Sequence, residues 1–368
     1  MIYIGTDAGI YRWVDKSFWP TYHSLQDRAV VSLVAPGAGL LAALDGDGRV
    51  WETENNGLEW YEVPVPPSAG RPIALAQGSV PGSILLTTRP MGLYERVVGG
   101  PVPEPADGGL GTTLLRNLMR RARPRRTAST ASTAVLPRPA SAHATSAASQ
   151  PAPDGWLSVP TPQVSGQAIA PAIRTLAVGQ GEKQPWFAAV TGAGLWRSED
   201  AGTSWDQCPG LPAEVYAIRV APGSAGIVAI ATDDGCWTSA DRGRTWENRS
   251  GGLDKARHLR ALEIHPEDST SMLAGAASGD VADGPRRGTR FSLYETGDGG
   301  KTWTHVRRGF PEFFEYDTIT DIRFDPAAPA NAIVALDSGE LWRTRNGGDW
   351  WEPIARQIRA ARVLCAVM

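Results

Sequence analysis

Seven times along the chain a turn residue, an apolar residue and an aromatic residue stand in that order. The series runs from Gly9-Ile10-Tyr11 and Arg49-Val50-Trp51 through Gly194-Leu195-Trp196 and Gly235-Cys236-Trp237 to Glu340-Leu341-Trp342. After each comes a tryptophan that opens another short strand: Trp19, Trp60, Trp156, Trp205, Trp246, Trp303 and Trp351. This period accounts for an unusual composition, with 14 Trp against 7 Phe, and it constrains the fold more than any single residue does.

Each unit reads as four short strands between Gly, Pro and Asp turns; in the fourth they are AIRTLAVG, PWFAAVTG, LWRSED and WDQCP. Strands of this length recurring roughly every 45 residues are the pattern of a β-propeller. One such sheet cannot bury both faces alone, so neighbours must stack around an axis. The first unit begins at its second strand, and the chain closes on ARVLCAVM (361–368), a strand without a partner of its own. The expectation is an all-β fold, a single seven-bladed propeller of four-stranded antiparallel blades spanning 1–368. The C-terminal strand completes the first blade and removes the exposed edge.

A second phrase sits between the third and fourth strands of a blade: SEDAGTSW (198–205), SADRGRTW (239–246) and TGDGGKTW (296–303). Its Asp and Ser/Thr side chains can bond the backbone N–H groups of a turn. Its Gly supplies a positive φ, and its Trp packs over the hairpin. TENNGLEW (53–60) and TRNGGDWW (344–351) are copies with Asn for Asp, and the first unit has no complete box. The phrase resembles the Asp-box, or bacterial-neuraminidase-repeat, propellers, which include sialidases, xyloglucan hydrolases, sortilin-type receptors and photosystem II assembly factors. The resemblance implies that Asp200, Gly202, Trp205, Asp241, Gly243, Trp246, Asp298, Gly300 and Trp303 are scaffold on the outer rim, away from any ligand.

The third unit loses its box to an insertion, 99–155. Residues 127–153 are Ala, Ser, Thr and Pro and cannot offset their ordering entropy, so most of the insertion is expected to be disordered. Between Asp107 and Asp154 there is no acid and there are seven arginines, so the net charge of −3 conceals a segment of +7. In TTLLRNLMRRARPRR (112–126) Leu114, Leu115, Leu118 and Met119 fall at helical spacing among arginines. That stretch suits an anionic partner or membrane surface, and the plainer reading, which is preferred, is a solvated linker at a hairpin tip. No specific nucleic-acid site is evident, and a monomer is expected.

Inner strands start on the face opposite the boxes, where propeller funnels take ligands by fold analogy. Alignment on strand ends places Arg174, Ala217, Ala261 and Asp321 in one column, with Arg219, Glu263 and Arg323 two residues further on. Arg71, Arg260 and Arg362 begin their strands near the mouth. These groups read either as salt bridges lining a channel or as an anion or sugar-acid site, since guanidinium forks suit carboxylate and phosphate. The connection RRGFPEFFEYDTIT (307–320) sets Phe310, Phe313 and Phe314 among acids. The candidate ligand residues are therefore Arg174, Arg260, Glu312, Glu315, Tyr316 and Asp321.

A sialidase would need converging arginines and a Phe/Tyr-Arg-Ile-Pro stretch, which is missing. Xyloglucan hydrolases use a cleft between two propellers. A glycosidase would need two facing carboxylates, for which the 307–321 loop supplies candidates. Five scattered histidines argue against a metal site, and DGDG (45–48) reads as a turn rather than a calcium loop. Neither metal nor cofactor is expected. Three distant cysteines and the absence of an N-terminal signal pattern lead to a cytoplasmic expectation. The reading is a non-catalytic scaffold binding protein or glycan through its loop-rich face, with a glycoside hydrolase as the alternative.

Overall fold

Each short apolar run of the sequence becomes a strand, and consecutive runs pair antiparallel because only a tight turn separates them. The computed structural model describes residues 1–14, 20–100, 155–165, 170–179, 184–223, 226–253, 258–278, 290–315, 317–355 and 360–366. These form seven antiparallel sheets of four strands, one of them extended by a fifth. The innermost strands, beginning with Val30–Gly37, contact one another in sequence around the axis and close the ring. The first blade has the order Ala361–Ala366, Ile2–Thr6, Gly9–Trp13, Thr21–Ser24. Its innermost strand thus comes from the C-terminal segment, as the sequence pattern requires.

Two apolar residues with two others between them open every innermost strand: Val30 and Leu33, Pro72 and Leu75, Ile173 and Leu176, Val215 and Ile218, Leu259 and Leu262, Ile319 and Ile322, Ala361 and Leu364. In a regular strand residues three apart face opposite sides. Here all but Pro72 are buried between blades. The pairing shows how: in each blade one residue between them has no opposite number on the second strand. Such a bulge turns two successive side chains toward the axis. The bulged residues are Val31, Ile73, Arg174, Tyr216, Arg260, Thr320 and Arg362, one per blade.

The boxes staple the opposite face. Ser239 Oγ accepts from Gly243 N at 2.8 Å, and Asp241 Oδ1 accepts from Thr245 N at 2.9 Å. Thr245 donation from backbone and hydroxyl, with Ser239, holds the Asp241 carboxyl well below the usual carboxylate range. Asp200 with Gly202, and Asp298 with Gly300, repeat the arrangement. Gly243 sits at φ 77°, and a Cβ there would meet Phe187 at 2.4 Å, so glycine is required twice over. In the Asn copies, Asn55 and Asn346 still accept from the backbone at 3.0 Å. Trp205 donates to Pro160 O and Trp303 to Arg249 O, tying each to the preceding blade, while Trp246 donates to Gly243 O of its own box.

In the third blade Glu95 pairs with Leu157, so the sheet resumes across the insertion. Trp156 is buried and donates to Pro64 O of the second blade at 2.9 Å. Beside it, the buried Arg96 pairs with Glu52 at 2.9 Å and donates to Gly100 O, while Gly99 N donates to Glu52. The expectations for 112–126 and 127–153 fall outside the described residues.

Candidate functional site

All seven bulged residues line one cavity of about 300 Å³ at the start of the inner strands, together with the residue that follows each of them. Around the ring the outer tier reads Arg362, Val31, Ile73, Arg174, Tyr216, Arg260 and Thr320. One arc is apolar and the rest is polar or cationic. The second tier reads Val363, Ser32, Ala74, Thr175, Ala217, Ala261 and Asp321, mostly small side chains that leave the space open.

Further along the strands lies a four-membered charge circuit. Arg219 Nε donates to Glu263 Oε2 at 2.8 Å, and its Nη2 lies 3.4 Å from Asp321 Oδ1. Arg323 donates to Glu263 and sits 3.1 Å from Asp321 Oδ1. Burial works against the charge on Arg323, but Asp321 and Glu263 outweigh it and keep the guanidinium firmly protonated. Asp321 also accepts from Leu364 N at 3.0 Å, linking the seventh blade to the first. Two cations against two anions make this floor neutral. Cys365 lies beside it, and burial pushes its thiol up to about 12.

The outer tier is different. Tyr216 lies between two guanidinium groups, Arg260 at 3.9 Å from its ring centroid and Arg174 at 5.0 Å. Arg174 pairs with Glu214 at 3.0 Å. Thr320 donates to Ala335 O and to Ala361 O, fastening the last blade to the first. Cation–π attraction to the one ring offsets the repulsion between the two like charges.

The structure therefore brings together Arg174, Arg260 and Asp321, and it corrects the alignment that related them. Arg174 does not share a column with Ala217, Ala261 and Asp321; that column is filled by Thr175, and Arg174 stands one place earlier with Tyr216, Arg260 and Thr320. Glu312 and Glu315 do not line the cavity. Phe314–Glu315 pairs with Arg290 and Phe291 as the fifth strand at the outer edge of the sixth blade. There Glu315 lies 3.7 Å from Arg290, and Glu312 lies 3.1 Å from Arg307. Phe310 is buried against Trp342, Trp351 and Phe314, so these two phenylalanines of the connection serve the core between two blades, while Phe313 lies under the Arg290 guanidinium. Tyr316 lies outside the described residues.

The DGDG segment is a turn. Asp45 accepts from Asp47 N at 3.0 Å, Arg49 N at 2.9 Å and Trp51 Nε1 at 3.0 Å, and pairs with Arg28. Among the described residues no three His, Cys, Asp or Glu side chains converge to hold a metal ion.

The profile of the Sortilin-Vps10 family (sortilin, neurotensin receptor 3) matches residues 193–316, the stretch that carries the three complete boxes. No curated protein matches the chain. Among solved structures, the GH74 xyloglucanase from Xanthomonas campestris is similar with a TM-score of 0.60 at 16% identity, covering 96% of this chain and 52% of that one. An ancestral GH74 enzyme gives 0.57 at 15%, covering 97% of this chain and 40% of its own. YCF48 bound to D1 peptide gives 0.57 at 14%, with 93% of this chain and 88% of that one covered. The chain thus spans about half or less of the GH74 chains it matches. At these identities the likeness is one of fold. The chain has the β-propeller fold of these proteins.

In this seven-bladed propeller the cavity residues that were not legible as site candidates in the sequence are Tyr216, Val31, Ile73 and Thr320. Their signal was present as the doubled spacer between apolar residues at the start of each inner strand.

Proposed function

We propose that this propeller is a non-catalytic binding module that receives an acidic portion of a partner protein at the mouth formed by Arg174, Arg260 and Arg362. One observation carries the reading: Arg174, Arg260 and Arg362 stand at the entrance, Arg174 beside Glu214, while the described carboxylates near the axis are held in ion pairs. Asp321 and Glu263 each face two arginines, and Glu214 faces Arg174. A general acid or nucleophile must exchange protons or attack a substrate, and carboxylates clamped in this way are spoken for. Guanidinium groups near an opening instead suit recognition of carboxylates and steer acidic partners toward it. The similarity to YCF48, whose solved complex holds a D1 peptide, supports a peptide-receiving role at the level of fold.

The test is to immobilise the full chain beside a Arg174→Ala/Arg260→Ala/Arg362→Ala variant and identify proteins released from each by salt. Titration of an identified partner should then show at least tenfold weaker binding to the variant. Equal affinity would overturn the mouth as the recognition face. Turnover of xyloglucan or aryl glycosides by the wild-type chain, lost in Asp321→Asn or Glu263→Gln, would overturn the non-catalytic reading.

A further inference from the structure

The outermost strand of a blade is a sheet edge, and the ring treats its edges in two ways. In the fourth, fifth and sixth blades that strand is two residues long and polar: Asp206–Gln207, Glu247–Asn248 and Thr304–His305. Short, charged edges discourage pairing with another chain. In the first three blades it runs to three or four residues, Thr21–Ser24, Tyr61–Val63 and Leu157–Val159. Each of these shows solvent a large apolar side chain, Tyr22, Tyr61 or Leu157. Leu58 in the box of the second blade is 76% exposed, and Val97, which ends the strand before the corresponding hairpin of the third, is exposed as well. Among the described residues the fourth, fifth and sixth blades expose no large apolar side chain. Apolar surface gathered on one side of a ring marks an interaction face.

These groups adjoin one another. His23, next to Tyr22, bonds Asn56 O of the second blade's box at 2.7 Å, and Tyr61 donates to Glu59 at 3.1 Å. Glu54 lies against Gly99 of the third blade, where a Cβ would collide with it. The charges divide the ring in the same way as the apolar residues. On the fourth to sixth blades the exposed Glu199, Glu247, Glu312 and Glu315 pair with Arg244, Arg249, Arg307 and Arg290. On the second blade Glu54, Glu59 and Glu62 are exposed and form no ion pair with a described residue. Beside them a cleft of about 20 Å³ has Glu52, Glu54, Tyr61 and Gly99 on its wall, room for one water-sized group such as an ammonium. Burial, and with it the charge of Glu54, pushes the Glu52 carboxyl up against the pull of Arg96, so a cation placed there relieves the repulsion between two carboxylates.

We propose that the outer edge of the first three blades is a docking surface for a basic, leucine-bearing segment of another polypeptide. The aliphatic side chains of that segment lie on Tyr22, Leu58, Tyr61 and Val97, and its cations meet Glu54, Glu59 and Glu62. Charge complementarity selects this occupant. An apolar face alone would take any hydrophobic partner, but carboxylates that no described cation neutralises repel acidic segments and anionic lipid and attract arginine or lysine. Burial of the aliphatic groups supplies the affinity, and the exposed acids supply the choice of partner. The face lies at the rim of the ring, away from the mouth, so the inference stands apart from the reading of the mouth and gives the module a second partner chemistry.

The experiment is a fluorescence-anisotropy titration of the full chain at physiological ionic strength with the labelled peptide Leu-Arg-Arg-Leu-Leu-Arg-Arg-Leu and two controls, one with Gln for every Arg and one with Ser for every Leu. The expected result is that the first peptide binds about tenfold or more tightly than either control. Glu59→Gln/Glu62→Gln and Leu58→Ser should each weaken it severalfold with melting unchanged, since these side chains are exposed. Glu199→Gln/Glu247→Gln removes the same charge from the other side of the ring and should leave binding as it was. No binding, equal binding of the Ser control, or the same loss from both glutamate pairs would overturn the inference. A wild-type chain that sediments as a dimer, with Leu58→Glu a monomer, would show that a second copy covers the face and overturn it as well. Tighter peptide binding by Arg116→Gln/Arg120→Gln/Arg121→Gln would give the face to the chain's own basic stretch, again against an outside partner.

Discussion

Glu263 is the residue on which the floor of the cavity turns, since Arg219 and Arg323 both donate to it. Glu263→Gln keeps the shape and removes the charge, leaving two cations to share Asp321. Breaking a fully buried pair costs about 3–5 kcal/mol. These side chains retain partial exposure, so a loss of about 1–3 kcal/mol is expected by denaturant titration after discounting for solvent screening. A variant as stable as the wild type would show that the circuit contributes nothing. The box aspartates make a different prediction, in pH. Backbone N–H donation from Thr245 to Asp241 and from Thr302 to Asp298 lowers both carboxyl pKa values. Groups depressed in the fold contribute stability above the unfolded carboxyl value near 3.9, and that stability is lost as pH falls below it. Glu52 has the opposite sign: burial raises it against the pull of Arg96, so its contribution weakens as pH rises through its raised value. Asp200→Asn/Asp241→Asn/Asp298→Asn should therefore melt lower than the wild type at pH 7 and lose less on acidification from pH 5 to pH 3. The Asn55 and Asn346 boxes show that the amide can still serve the turn. An unchanged acid slope would place the titration elsewhere.

At the scale of the strand, the closing segment Ala361–Ala366 bears the same packing as the strands inside the chain. Leu364 is buried among Ile2, Ile4 and Ile333, between the first and last blades. Leu262 holds the corresponding place in the sixth blade and is equally buried. Leu364→Ala and Leu262→Ala should each cost about 2–5 kcal/mol, the ordinary range for such truncations. A cost well under 1 kcal/mol for Leu364→Ala alone would mean that the ring is not held by its last strand. The strand count, the closure and the boxes were legible in the sequence because turn chemistry is local and repeats. The column was misread at Arg174, because the fourth inner strand ends in Val178-Gly179 without the proline that follows the fifth, sixth and seventh, and strict alternation also hid the bulged residue that every inner strand carries. Val215-Tyr216-Ala217-Ile218 announced the bulge through its doubled spacer, and Tyr216 was the residue lost by overlooking it. The 307–320 connection failed for another reason. Phe310 and Phe314 beside Glu312 and Glu315 look the same in a sequence whether aromatics stack on a sugar or seal two blades. Only the third dimension shows Phe310 against Trp342 and Trp351.

At the scale of the molecule, the propeller tolerates a long insertion because the residues that make the third blade pair without it. Glu95 and Leu157 face one another although 96–156 intervene. In the fourth blade the equivalent partners Arg197 and Asp206 are separated only by the eight residues 198–205. Removing 101–153 leaves 96–100 and 154–156, again eight residues, and keeps Gly99 and Gly100 for the Glu52–Arg96 pair. The ring should then fold unchanged. Loop closure over eight residues instead of about 61 favours the fold by about 2 kcal/mol, so the midpoint of unfolding should rise slightly and the transition should stay cooperative. The mouth lies at the other end of the strands from this hairpin, so binding of the partner captured by the wild-type chain should not change. A broad or lowered transition would mean that the ring draws stability from the insertion. Loss of partner binding with an intact transition would mean that the inserted segment, with its seven arginines, takes part in recognition. The deletion thus separates what the ring does by its own geometry from what the chain has added to it.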